Sequence, residues 1–213
     1  MKKKTEKLLE ILTAQPVIPV LKIDRLSDAV PLARALAKGG LPAIEITLRT
    51  PDAIDAIRLV VDEVPEAIVG AGTILTKKDF TKAEEAGASF IVSPGTTEDL
   101  LDAAEDSHVP FLPGAVTPSE IMALREEGYR VLKFFPAEQA GGAAFLKSLA
   151  SPLADMRFCP TGGISPQNAG DYLSLPNIVC VGGSWIAPDA ELKAGNWAAI
   201  EELSRQATGL RQA

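Results

Sequence analysis

The sequence predicts a (β/α)8 barrel, and two observations predict it. Eight short apolar runs recur at fairly even spacing along 213 residues. Amphipathic segments rich in Ala, Leu and Glu fill most of the gaps between them. Strand alternating with helix at this density is the pattern of a compact parallel barrel. A doubly wound open sheet is the competing architecture. No linker or composition shift divides the chain, so residues 1–213 read as one domain.

The elements follow in order. Residues 4–14 form an additional N-terminal helix. The strand candidates are 17–21, 43–48, 67–72, 89–92, 110–112, 130–135, 157–160 and 178–182, and most are β-branched or aromatic, as buried strands are. Pro19 weakens the first, because proline removes a ladder hydrogen bond. Helical segments span 27–38, 51–64, 77–86, 97–106, 117–127 and 142–149, and 196–207 closes the chain. Ser27, Thr76, Thr97 and Thr117 stand where N-caps belong. Glu120, three residues after Thr117, completes a capping box.

Composition narrows the function. The chain is 46% hydrophobic and 23% charged, with a formal net charge of −7. No dense basic stretch follows Lys2 to Lys4, so nucleic acid is excluded as a partner. Charges at Glu6, Lys7 and Glu10 interrupt any secretory core. No apolar run approaches the roughly 20 residues of a membrane span. The two cysteines, Cys159 and Cys180, sit in apolar runs and read as reduced core residues, which suits a cytoplasmic protein. His108, the only histidine, precedes the fifth strand and reads as a loop residue. Without further histidines or a carboxylate cluster, no catalytic metal is expected.

One strand carries an anomaly. Val131-Leu132-Lys133-Phe134-Phe135-Pro136 places a lysine inside an apolar run. Burying an ammonium costs several kcal/mol unless it is paired or neutral. A neutral amine is what a Schiff-base nucleophile needs. Side chains alternate along strands. In 43–49, Ile44, Ile46 and Leu48 therefore pack on helices, while Glu45, Thr47 and Arg49 face the barrel axis. Val131, Lys133 and Phe135 share one face, and so do Ala71 and Thr73. If those faces match, an amine, a carboxylate, a guanidinium and a hydroxyl converge at the C-terminal strand ends, where barrel active sites lie. The competing reading is an interior Glu45–Lys133 ion pair that only satisfies two buried charges.

Two glycine pairs complete the pattern. Thr161-Gly162-Gly163 follows the seventh strand, and Gly182-Gly183-Ser184 follows the eighth. Glycine lets amide N–H groups approach an anion, and Ser184 adds a hydroxyl. The loops after strands 7 and 8 are the usual phosphate site of this fold.

These residues resemble a known family. Glu45-Ile46-Thr47-Leu48-Arg49-Thr50, Val69-Gly70-Ala71-Gly72-Thr73, Ser93-Pro94-Gly95, Lys133-Phe134-Phe135-Pro136-Ala137-Glu138, Arg157-Phe158-Cys159-Pro160-Thr161-Gly162-Gly163 and Gly182-Gly183-Ser184-Trp185 are similar to the 2-keto-3-deoxy-6-phosphogluconate (KDPG) aldolases of the Entner–Doudoroff route. The resemblance runs from about Pro16 to the final helix. It implies a metal-independent, cofactor-free class I aldolase, a (β/α)8 barrel that is usually a homotrimer. It implies that Lys133 forms the Schiff base and that Glu45 is the acid/base. Arg49 and Thr73 would bind the pyruvate-derived carboxylate. Thr161 would set stereochemistry at the aldehyde carbon. Gly162, Gly163, Gly183 and Ser184 would cradle the phosphate of a phosphorylated 2-keto acid. Alternatives are cleavage of 4-hydroxy-2-oxoglutarate, an aldolase for the C4-epimeric 2-dehydro-3-deoxy-6-phosphogalactonate, a phosphate-binding isomerase or epimerase without a covalent lysine, and a barrel that only binds or assembles.

Overall fold

The computed structural model describes residues 2–211. A first helix, α1 (Lys2–Thr13), precedes β1 (Val17–Leu21). Then come α2 (Ala29–Lys38), β2 (Ala43–Thr47), α3 (Ala53–Glu63), β3 (Ile68–Gly72), α4 (Lys77–Glu85), β4 (Phe90–Val92) and α5 (Glu98–Asp106). The second half runs β5 (Phe111–Leu112), α6 (Pro118–Glu126), β6 (Val131–Phe134), α7 (Gly142–Leu149), β7 (Arg157–Pro160), α8 (Ala169–Leu173) and β8 (Val181–Gly183). Two helices, α9 (Asp189–Ala194) and α10 (Trp197–Thr208), end the fold.

All strand pairings are parallel. β5-β4-β3-β2-β1-β8 form one ladder and β6-β7 another. Single bridges close the circle: Gly114 to Lys133 joins the β5 end to β6, and Thr161 to Gly182 joins β7 to β8. Pro19 is accommodated in β1, in register with Gly183 of β8.

Strand alternation sorts the core into two layers. Ile44, Ile46, Val69, Ile91, Leu132, Phe134, Phe158 and Val181 face outward and pack on the helices. Phe134 is fully buried, stacks on Phe145 at 5.7 Å and meets Phe158 edge-on at 6.5 Å. Burying such a ring contributes about 1.5–3 kcal/mol. Ile18, Ala43, Phe90, Val92, Leu112, Val131 and Cys159 fill the interior with Leu8, Ile11 and Leu12 of α1. The last three share this cluster with Ala43, Phe90 and Val131, the first residues of β2, β4 and β6, so α1 plugs the N-terminal end of the barrel. Gln15 fixes the same end: its amide donates to the carbonyls of Val17 and Ala43 and accepts from Ala43 N–H. The bottom is therefore shut, and chemistry is left to the top. Cys159 and Cys180 are both buried, with their sulfurs 3.4 Å apart.

Most predicted caps form. Thr76 and Thr97 accept from the N3 amides of α4 and α5, and Thr117 with Glu120 makes a reciprocal capping box on α6. Ser27 is a correction. The chain makes a 3-10 turn over Leu26–Asp28, α2 starts at Ala29, and Asp28 occupies the cap position without a side-chain cap bond. Asp28 instead accepts from Arg25 Nε at 2.8 Å. The eighth strand also lies later than residues 178–182. Ile178 bridges to Phe158 of β7 through the backbone bonds of Asn177 and Val179, and only Val181–Gly183 pair with β1. His108 is exposed in the turn before β5.

Candidate active site

Lys133 lies on β6 and Glu45 on β2, with their side chains turned to the barrel axis. Lys133 Nζ donates to Glu45 Oε1 at 3.1 Å. The two residues are only 5% and 4% exposed, so the pair is held out of bulk water. An ammonium and a carboxylate in that setting are each other's main compensation. Gly72 makes room for the carboxylate: a Cβ built there would lie 2.0 Å from Glu45 Oε1. The Phe135 ring adds a cation–π contact, its centroid 5.6 Å from Lys133 Nζ.

Arg49 is set by a relay from β1. Thr47 Oγ1 donates to the Leu21 carbonyl at 2.7 Å and accepts from Arg49 Nε at 2.9 Å. Thr47 is 1% exposed, whereas Arg49 is exposed. A buried hydroxyl thus fixes the root of a guanidinium whose remaining donors face the mouth. Arg49 and Ser184 line one cavity of about 330 Å³ together with Lys22, Pro188 and Leu192. Lys22, given no role from the sequence, pairs with Asp24 at 2.6 Å.

The glycine loops meet at the same end. Thr161 bridges to Gly182, and a Cβ on Gly182 would lie 2.2 Å from Thr161 Oγ1. Gly162 and Gly163 adopt positive φ, +104° and +76°, where side chains are strained. A Cβ on Gly183 would collide with the Trp185 ring at 2.1 Å. The first pair is therefore required by its backbone conformation and the second by close approach.

Thr73 is a correction to the alternation argument. Gly70 and Gly72 turn inward, against Phe90 and Glu45, while Ala71 packs outward. Strict alternation would send Thr73 outward with Ala71. Instead the chain leaves β3 at Thr73 with φ +59°, the only positive φ outside glycine among the described residues. Such strain concentrates at functional sites. No hydrogen bond or ion pair among the described residues ties Thr73 to the Lys133–Glu45 pair. Three contributors escaped the sequence reading. Thr47 stood between Glu45 and Arg49 on one face but carried no assigned role. Gly72 carried none as the space for Glu45, and Phe135 shared a face with Lys133.

The sequence profile of the family described as KDPG and KHG aldolase matches residues 8–203. The chain belongs to the KDPG and KHG aldolase family. It is an aldolase, and so a carbon–carbon lyase. The 2-dehydro-3-deoxy-phosphogluconate aldolase of Pseudomonas aeruginosa is 50% identical over 207 residues, covering 97% of this chain and 94% of the relative. The KHG/KDPG aldolase of Escherichia coli K12 is 50% identical over 197 residues, covering 92% of each chain. The crystal structure of a Legionella pneumophila KDPG aldolase, with pyruvate captured as a covalent carbinolamine, superposes with a TM-score of 0.92. It is 46% identical and covers 94% of this chain and 97% of its own. The Zymomonas mobilis ZM4 aldolase, solved with 3-phosphoglycerate, also gives 0.92 at 44% identity, covering 97% of both chains.

Among the described residues, no group of three or more His, Cys, Asp and Glu is placed to hold a metal ion, and no helix is long and apolar enough to cross a membrane.

Proposed function

We propose that the chain reversibly cleaves 2-dehydro-3-deoxy-6-phosphogluconate to pyruvate and D-glyceraldehyde 3-phosphate through a Schiff base on Lys133. The observation that carries this is the buried Lys133–Glu45 pair at 3.1 Å. The named activity of the Pseudomonas relative and the pyruvate carbinolamine of the Legionella enzyme support it.

The steps follow from the pair. Lys133 passes a proton to Glu45, and the freed amine attacks the C2 ketone. Glu45 returns the proton as the carbinolamine loses water. The protonated imine withdraws electrons from C3. Glu45, again a carboxylate, takes the C4 hydroxyl proton as the C3–C4 bond breaks. Glyceraldehyde 3-phosphate leaves, and an enamine stays on Lys133. Protonation at C3 and hydrolysis release pyruvate. Arg49 and Thr73 hold the carboxylate, with the guanidinium suited to two parallel bonds. Thr161, packed over Gly182, borders the aldehyde carbon and selects its stereochemistry. Gly162, Gly163, Gly183 and Ser184 bind the phosphate, whose remote binding energy orients the reacting carbons.

Cleavage of 4-hydroxy-2-oxoglutarate is a second activity of the same site, favoured by the double name of the Escherichia coli relative. The galactonate epimer is less favoured: a solved KDPGal protein is 27% identical with a TM-score of 0.76. The reading also carries a single-domain, cytoplasmic homotrimer, for which light scattering gives the mass.

The test is reductive trapping. Pyruvate and borohydride should add a reduced adduct to Lys133, located by peptide mapping. No adduct on a folded protein would overturn the reading.

A further inference from the structure

Glu138, in the segment after β6, and Tyr172, on α8, flank the glycine loop after β7. Three bonds turn the carbonyls of that loop toward the protein. Ala137 N–H donates to Thr161 O at 2.9 Å, Glu138 N–H to Gly162 O at 3.1 Å, and Asn168 Nδ2 to Gly163 O at 3.1 Å. Among the described residues, the amides of Gly162, Gly163 and Ile164 donate to no protein acceptor. The loop thus presents N–H groups on the side away from its anchors, as an anion site needs.

The side chain of Glu138 braces this arrangement. A Cβ built on Gly163 would lie 2.6 Å from Glu138 Cγ and 2.7 Å from its Cβ, so the stem rests directly on the glycine. Tyr172 Oη donates to Glu138 Oε1. Tyr172 is 1% exposed, so its ring is a fixed post, and a buried phenol needs such a partner. The bond also has an electrostatic side. A carboxylate this close to a phosphate loop would repel the ligand. The tie to Tyr172 holds it toward Gly142, where a built Cβ would lie 3.4 Å from both Glu138 Oε1 and Tyr172 Oη.

We propose that the Glu138–Tyr172 pair is the positioning device of the phosphate loop. It holds Gly163 in place and keeps the carboxylate off the incoming phosphate. The pair therefore sets affinity for phosphorylated substrates without acting on the chemistry at Lys133. This rests on the reading of Gly162 and Gly163 as a phosphate cradle.

The experiment compares Tyr172→Phe, Glu138→Ala and Glu138→Gln with the unaltered protein. It measures kcat and KM for 2-dehydro-3-deoxy-6-phosphogluconate and for unphosphorylated 4-hydroxy-2-oxoglutarate. It also measures inhibition of the unphosphorylated reaction by inorganic phosphate. Tyr172→Phe and Glu138→Ala should raise the phosphorylated KM and the phosphate inhibition constant roughly ten-fold, the factor of one lost hydrogen bond. Both constants for 4-hydroxy-2-oxoglutarate should stay within about two-fold, as expected for a site the substrate does not use. Glu138→Gln keeps the stem and an acceptor oxygen, so it should behave like the unaltered protein. Equal losses on both substrates, or an unchanged phosphorylated KM, would overturn the proposal. Tyr172→Phe keeps the ring in the core and carries the test if Glu138→Ala does not fold. Pyruvate trapping separates the two readings. Trapping kept while phosphate inhibition weakens supports the positioning role. Loss of trapping in the unaltered protein overturns the aldolase reading, and calorimetry with inorganic phosphate still decides the role of the pair.

Discussion

Lys133 and Glu45 are 88 positions apart and meet at 3.1 Å inside the barrel. The contact exists because β6 and β2 both present odd-numbered residues to the axis. In the proposed mechanism it supplies a nucleophile and its proton partner in one place.

Glu45→Gln is the direct test of that partnership. The amide keeps the shape and can still accept from Lys133, but it cannot move protons. Cleavage should slow by roughly 10²–10⁴-fold, the usual contribution of acid–base catalysis. Thermal unfolding should move to lower temperature, since the buried Lys133 ammonium keeps an acceptor but loses its opposite charge. Steady-state kinetics beside a melting curve read both, and near-normal turnover would remove Glu45 from its role.

Thr47→Val tests the relay to Arg49. Valine matches the shape but loses the bonds to Leu21 O and Arg49 Nε. The bond to Arg49 weighs about 1 kcal/mol, so the KM of the keto acid and the pyruvate concentration for half-maximal trapping should rise roughly five-fold. Thr47→Ser should recover most of this. A valine variant with unchanged pyruvate affinity would show that Arg49 needs no anchor.

These tests also mark where sequence reasoning had purchase. The inward faces of Glu45, Thr47 and Lys133 were legible because a strand between helices and a barrel axis alternates strictly, but the bond that makes Thr47 an anchor for Arg49 was not. Thr73 was not, because a left-handed residue ends the alternation that placed it. Helices α8 and α9, five and six residues long, hold too few turns to leave a periodic signal. Ser27 missed the cap because it lies inside the 3-10 turn over Leu26–Asp28, which delays α2 to Ala29. The Glu138–Tyr172 bond joins residues 34 apart and depends on how α8 settles on the loop.

The tyrosines predict an alkaline limit. Burial, reinforced by the charges of Glu127 and Glu105, pushes the Tyr129 phenol up from 10.0 to about 12. Burial, then the bond to Glu138, raises Tyr172 further. Only these two tyrosines are present. Above pH 10.0 the unfolded chain releases phenolic protons that the folded chain keeps. Their contribution to stability is full below that pH and is lost as pH climbs through about 12. Melting temperature should stay level up to that onset and then fall, with the fall reduced in Tyr129→Phe. Tyrosinate absorbance rising near pH 10.0 in the folded protein would contradict the burial of both rings.

Gly72→Ala asks whether the position of Glu45 matters as much as its presence. Gly72 sits in β3 without a positive φ, so alanine fits the backbone. The added methyl would stand 2.0 Å from Glu45 Oε1 and 2.6 Å from its Cδ. The carboxylate is the flexible partner, so it moves and the strand does not. A displacement of about 1 Å at a reacting group can cost on the order of 10²-fold in rate. We expect that loss in kcat, reduced trapping of pyruvate, and a folded protein. Gly170→Ala is the control. Nothing lies within 4 Å of a Cβ there, and the residue is helical. Replacing a helical glycine by alanine should stabilise by about 0.5–1 kcal/mol and leave kcat alone. Equal kinetics for the two alanine variants would mean that Glu45 can reach its working position from more than one place, and that Gly72 serves the packing of β3 instead.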